Sequence, residues 1–125
     1  MWRYEQSTGR FLRASRTGAS LIATGYAGAK DCLNDPAKDH VRACGPIPKG
    51  YYRLRVFDHP RFKAPAIRCF PEPGTEMHGR SGFYIHGDNP AGDRSASSGC
   101  IILPSAIRQR IAALIPRDDV LQVVP

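Results

Sequence analysis

No stretch of the 125-residue chain approaches the roughly 20 consecutive apolar residues that a membrane-spanning helix needs. A membrane span is therefore not expected. The opening residues, Met1-Trp2-Arg3-Tyr4-Glu5, lack the apolar core of a secretory signal. The expectation is a protein made in the cytoplasm and not exported by the signal-peptide route. A Lys/Arg block is also missing. The formal charge is +7, but it is scattered from Arg3, Arg10, Arg13 and Arg16 through Arg53, Arg55 and Arg68 to Arg108 and Arg110. Without a basic block or a nucleic-acid motif, no nucleic-acid partner is expected. The charge favours another anionic partner, such as a bacterial wall. There is no internal repeat and no low-complexity segment. None of the four cysteines forms a CxxC pair.

What is present reads as one domain over residues 1–125, long enough to bury a core without disulfides. Apolar residues make up 42% of the chain, which is ordinary for a globular domain. Twelve glycines and eleven prolines imply many turns, and hence a mainly β fold. Residues 2–14 read as a hairpin, with Trp2, Tyr4 and Gln6 alternating against charged neighbours and Ser7-Thr8-Gly9 turning. Further strands are expected at 20–24, 52–57, 66–70, 82–86 and 120–124. Residues 26–44 read as a long irregular loop, a kind of segment that is often functional. One helix is expected. Pro104 suits its first turn, Pro116 ends it, and Ile107, Ile111, Leu114 and Ile115 share one face.

Chemistry concentrates in Ile85-His86-Gly87-Asp88-Asn89 and Ser97-Ser98-Gly99-Cys100-Ile101-Ile102. A thiol attacks carbonyls poorly until a neighbouring imidazole takes its proton. Such a histidine needs an acceptor on its other nitrogen to hold the right tautomer, and Gly87 C=O or the Asp88 carboxylate offers one. The Ser98-Gly99-Cys100 turn offers backbone N–H groups for an oxyanion hole, with Gly99 allowing close approach. Cys32 and Cys44 either close a small disulfide loop or stay as two thiols. His40 lies between them, but a zinc site would lack a fourth ligand and a standard spacing. No metal or cofactor is expected. Cys69 reads as a small core hydrophobe, and His40, His59 and His78 as solvated loop residues.

These segments resemble the L,D-transpeptidase catalytic signature: His-Gly, a gap, then Ser-x-Gly-Cys and apolar residues. Gly45-Pro46-Ile47-Pro48-Lys49-Gly50-Tyr51-Tyr52 is similar to the turn before a core strand in the same enzymes. Tyr4-Glu5-Gln6-Ser7-Thr8-Gly9 and the run Gly79–Asn89 resemble more closely the type VI secretion L,D-transpeptidase effectors. The resemblance implies a small β-sandwich with one short C-terminal α-helix. It implies that Cys100 attacks the diaminopimelate–D-Ala carbonyl of a tetrapeptide stem, with His86 as base. The acyl group would pass to water (L,D-carboxypeptidase) or to another D-amino acid (exchange). It further implies a toxin acting in the periplasm of target bacteria on peptidoglycan stem peptides, delivered by the type VI machinery and matched by a cognate immunity protein. One departure is Ser98, where the wall enzymes carry histidine.

Other roles stay open at this level. Arg80 either binds a substrate carboxylate or joins an ordinary ion pair. Tyr84 and Asn89 are further candidates for substrate contact. Asp88 either orients His86 or caps its loop, and Ser97 either bonds the thiolate or shapes the turn. A rival reading is a non-catalytic cell-wall-binding module on a degenerate enzyme scaffold, which would have no need of the Cys100/His86 pair.

Overall fold

The computed structural model describes residues 1–125. Alternation of apolar and polar residues dictates its strands. In β1 (Trp2–Glu5), Trp2 and Tyr4 are fully buried while Arg3 and Glu5 are half-buried. The chain turns into β2 (Arg10–Ser15), and β3 (Gly18–Thr24) pairs back on it. The third strand thus begins two residues earlier than the sequence suggests. Glycine and alanine at its start give weak β signals, but they face an established partner strand.

After a long connection come β4 (Gly50–Val56), β5 (Ile67–Pro71), β6 (Tyr84–His86) and β7 (Ile101–Ile102). Then follow α1 (Ser105–Leu114) and β8 (Val120–Val124). The eight strands form one curled sheet in the order β3-β2-β1-β8-β4-β5-β6-β7. β1 lies parallel to β8 and β6 parallel to β7, and the other pairs are antiparallel. The chain is mainly β with one C-terminal helix, as the composition implies.

The core runs the length of the sheet. Phe11, Ile47, Tyr52, Ile67, Ile85, Ile101, Leu103, Ile111 and Leu121 all lie within it. Each large apolar side chain taken out of water contributes about 1.5–3 kcal/mol. Ile111 of the helix is fully buried, and Ile107, Leu114 and Ile115 pack against the core beside it. Pro104 stands just before the helix as its cap rather than inside the first turn. Tyr52 points inward and Tyr51 outward, and Cys69 is buried opposite Leu54.

Two departures from the sequence reading matter for the site. The strand expected at 82–86 shrinks to three residues, because Gly82 takes φ +78° and breaks the ladder. Residues 26–44 are not structureless. Two short 3-10 turns, Lys30–Cys32 and Pro36–Lys38, fold the segment, and a Cys32–Cys44 disulfide closes it. Gln6, fully buried, donates to Ile47 O at 2.9 Å and to Asp39 Oδ2 at 3.2 Å, which ties this loop to the end of β1.

Candidate active site

β6 and β7 lie at one edge of the sheet, with Ile85 opposite Ile101 and His86 opposite Ile102. Side chains alternate along a strand, so Tyr84 and His86 share a face. Cys100 lies one residue before β7 and reaches β6 through its sulfur, which accepts the Tyr84 N–H. Cys100 thus contacts the strand that ends in His86, although fourteen residues separate the two in sequence.

The resting thiol accepts the Tyr84 N–H at 3.3 Å. Burial pushes its pKa up, against the opposing pull of the Tyr84 N–H and of the Arg80 and Arg68 guanidiniums. Burial pushes His86 down, opposed by its bond to the Gly87 carbonyl, helped by the positive charge of Arg108, opposed by Asp88 and helped by Arg61. At neutral pH the pair rests as a thiol and a neutral imidazole. His86 Nδ1 meets Gly87 O at 2.9 Å. A carbonyl only accepts, so Nδ1 carries the hydrogen and Nε2 keeps its lone pair. Of the two acceptors the sequence offers, Gly87 C=O is the one in contact. The Asp88 carboxylate accepts instead from the Tyr26 hydroxyl at 2.7 Å and the Asn89 N–H at 2.9 Å. Burial, with the bond to Asp88, pushes Tyr26 up to about 12.

The turn leading to Cys100 is built from backbone bonds. Ser97 is buried, and its hydroxyl donates to Cys100 O at 2.6 Å while accepting the N–H groups of Gly28 and Gly99, each at 3.0 Å. Its bonding capacity is used on the backbone, so it shapes the turn and leaves the sulfur alone. Gly99 takes φ +148°, where a Cβ would meet Arg80 Nη2 and Phe83 Cε1, both at 2.7 Å. No other residue fits there without displacing both. The Gly99 N–H is already committed to Ser97, contrary to an oxyanion role. The N–H groups of Ser98 and Cys100 donate to no protein acceptor. They are the backbone donors available beside the sulfur.

Arg80 departs from both readings offered for it. Its side chain is buried and forms no ion pair. Nη1 donates to Asp39 O and Pro46 O, and Nη2 to Gly45 O and Ser98 O at 2.8 and 3.1 Å. A planar fork of donors suits such a task. The residue clamps the disulfide loop to the Cys100 turn, with its charge over the Phe83 ring. Tyr84 contributes its backbone N–H, while its buried ring packs against Phe57, His59 and Phe62. Asn89 bonds within its own loop, to Ser95 Oγ and the Gly92 N–H. Neither Tyr84 nor Asn89 is held in a pose that singles it out for substrate contact. The disulfide uses the thiols of Cys32 and Cys44, which removes the zinc site weighed around His40.

Thiol and imidazole line separate clefts. The cleft of Cys100 holds about 350 Å³ and is bordered by Arg42, Arg80, Gly82, Phe83, Ser98 and Gly99, with no acidic residue. The cleft of His86 holds about 700 Å³, with Arg61, Lys63 and Arg108 against the single acid Asp88. Phe62 lies flat on the imidazole, ring centroids 4.0 Å apart and planes 3° from parallel.

Sequence reasoning missed Phe62, Tyr26, Arg108 and Arg42. Arg108 is buried on α1, donating to Pro65 O and Leu103 O, and packs so close to Gly87 that a Cβ there would meet Nη1 at 2.8 Å. Nothing in the helical pattern marks it, since it neighbours the apolar positions and reads as solvated. Phe62 lies between Arg61 and Lys63 in an irregular segment with no periodicity to place it.

Fold and site together define a class: a small, mainly β domain that presents a thiol and an imidazole at one edge of its sheet. The chain belongs to the Tlde1-domain family, the type VI secretion L,D-transpeptidase effectors, whose family model matches residues 22–125. Membership implies a type VI effector with L,D-transpeptidase-like activity, directed at peptidoglycan and paired with an immunity protein. No curated protein and no solved structure matches the chain. No helix is long and apolar enough to cross a membrane.

Proposed function

We propose that the protein is a cysteine enzyme that removes or exchanges the terminal D-Ala of peptidoglycan tetrapeptide stems in the periplasm of target bacteria. Cys100 is the nucleophile and His86 the general base. The observation that carries this reading is the contact of the Cys100 sulfur with the Tyr84 N–H of β6, the strand that ends in His86. His86 Nε2 takes the thiol proton as sulfur attacks the diaminopimelate carbonyl. The oxygen of the tetrahedral intermediate accepts from the Cys100 and Ser98 N–H groups. Collapse breaks the bond to D-Ala, whose nitrogen leaves with the proton held by His86. The thioester then passes to water or to the amine of another D-amino acid.

Two further observations support the reading. Both clefts carry an excess of positive charge, which suits a stem peptide rich in free carboxylates. The disulfide persists in oxidising compartments such as the periplasm. Incubation with disaccharide-tetrapeptide, with and without an added D-amino acid, followed by mass spectrometry, tests the assignment. The expected outcome is loss or replacement of the terminal D-Ala, reduced at least about a thousandfold in Cys100→Ala and His86→Ala. Undiminished turnover by folded Cys100→Ala would overturn it.

A further inference from the structure

The sequence offers Arg80 as the cation for a substrate carboxylate, but the structure commits that guanidinium to four backbone carbonyls. A second arginine borders the same cleft. Arg42 is exposed and lies at the rim of the Cys100 cleft. Its one hydrogen bond runs from Nη2 to Gly79 O at 3.0 Å. That bond anchors the side chain and leaves Nε and Nη1 without a protein partner. Arg42 forms no ion pair, and no Asp or Glu borders the cleft. An arginine in a cleft is normally neutralised by an acid nearby; here the cleft itself supplies none.

We propose that Arg42 is a specificity-determining residue that binds a free carboxylate of the stem peptide, holding it in the cleft that ends at the Cys100 sulfur. This rests on the peptidase reading above and names the group that recognises its substrate. The planar fork matches a carboxylate bidentately, and such charge-assisted pairs are both strong and directional. The position is anchored on both sides. Cys44 in the disulfide is two residues away, and the Gly79 carbonyl that holds Nη2 is next to the clamping Arg80. The carboxylate is thus read by a fixed frame, and the peptide carbonyl is delivered to the sulfur in one orientation.

A tetrapeptide stem has three candidate carboxylates: the terminal D-Ala, the α-carboxylate of the γ-linked D-Glu, and the free carboxylate of diaminopimelate. Three analogues, each amidated at one of these, separate the sources. Steady-state kinetics of D-Ala or D-alaninamide release would be measured for wild type, Arg42→Gln and Arg42→Lys. The expected result for Arg42→Gln is a KM raised about tenfold or more on the unmodified stem, with most of the effect in KM rather than kcat. On one analogue, and only one, wild type and Arg42→Gln should have the same KM, since the partner of Arg42 is already gone. Arg42→Lys should fall between. A KM unchanged by Arg42→Gln, or raised equally on all three analogues, would overturn the proposal. If wild type turns over no stem peptide, the peptidase reading fails instead. Calorimetric binding of the stem to Cys100→Ala against Arg42→Gln/Cys100→Ala then decides the Arg42 role alone. Affinity lost about tenfold in the double variant supports it, and equal affinity contradicts it.

Discussion

At the scale of the residue, the proposed mechanism makes the balance of burial and charge around His86 the factor that sets when catalysis can proceed. The active form of a general base is the neutral imidazole. Burial, with the positive charges of Arg108 and Arg61, lowers the pKa of His86 despite the Gly87 carbonyl and Asp88. Protonation therefore requires a lower pH than for a free histidine. As pH falls, kcat/KM should hold through the ordinary histidine range near 6.5 and decline only below it. Cys100, raised by burial, stays a thiol at neutral pH, so alkylation by iodoacetamide should keep rising with pH above neutrality. A pH–rate profile with its acid limb at or above 6.5 would contradict this placement of charges. The two candidates were picked out in the sequence by their setting of Gly and Ser and by the resemblance of both segments to the L,D-transpeptidase signature. Their partners were not. Gly87 O rather than Asp88 holds the imidazole, and Ser97 holds backbone rather than sulfur. Backbone carbonyls and N–H groups carry no sequence signal of their own. A choice among nearby acceptors is made by chain geometry.

At the scale of the element, the site depends on a loop that periodicity does not describe. Strands β1, β4 and β8 follow from alternation, and α1 follows from its apolar spacing, so the sequence yields them closely. β7 has two residues, too few for any pattern, and the 3-10 turns of the disulfide loop are equally short. Yet three supports of the Cys100 turn tie it to the segment around that disulfide. Gly28 N–H reaches Ser97, Ile47 N–H reaches Gly99 O at 2.9 Å, and Arg80 joins Gly45 O to Ser98 O. Closing a loop of this length stabilises a fold by about 3 kcal/mol in the chain-entropy view. Replacing both Cys32 and Cys44 with alanine should lower the thermal midpoint by several degrees. It should also reduce kcat/KM about tenfold or more, because the Cys100 turn loses its abutment. Reductant should do the same to wild type without touching the double variant. Full activity in the double variant would show that the turn stands without the loop closure.

At the scale of the whole molecule, the family match begins at residue 22, yet the residues before it are integral to the domain. β1 joins β8 to β2 in the middle of the sheet order, Trp2, Tyr4 and Phe11 are fully buried, and Gln6 steadies the loop behind Cys100. The Tyr4–Gly9 resemblance noted in the sequence thus has a structural task. The net charge of +7 likewise acquires a location. Arg42, Arg61, Lys63 and Arg108 gather it at the two clefts that flank β6 and β7, where scattered positions along the chain gave no hint of a cluster. Positive charge, the two clefts, Cys100 and His86 gather at one edge of the sheet, in keeping with the carboxylate-rich peptide proposed as substrate.

The central claim is that this pair performs covalent catalysis, so the most direct test is to find the covalent bond. Intact-protein and peptide mass spectrometry would be applied after rapid acid quench of the protein with tetrapeptide stem. The account predicts a thioester adduct, with the mass of the stem lacking its terminal D-Ala, on the peptide that contains Cys100. The adduct should be absent in Cys100→Ala and slow to form in His86→Ala. Turnover with no adduct at any quench time, or an adduct on another residue, would contradict it.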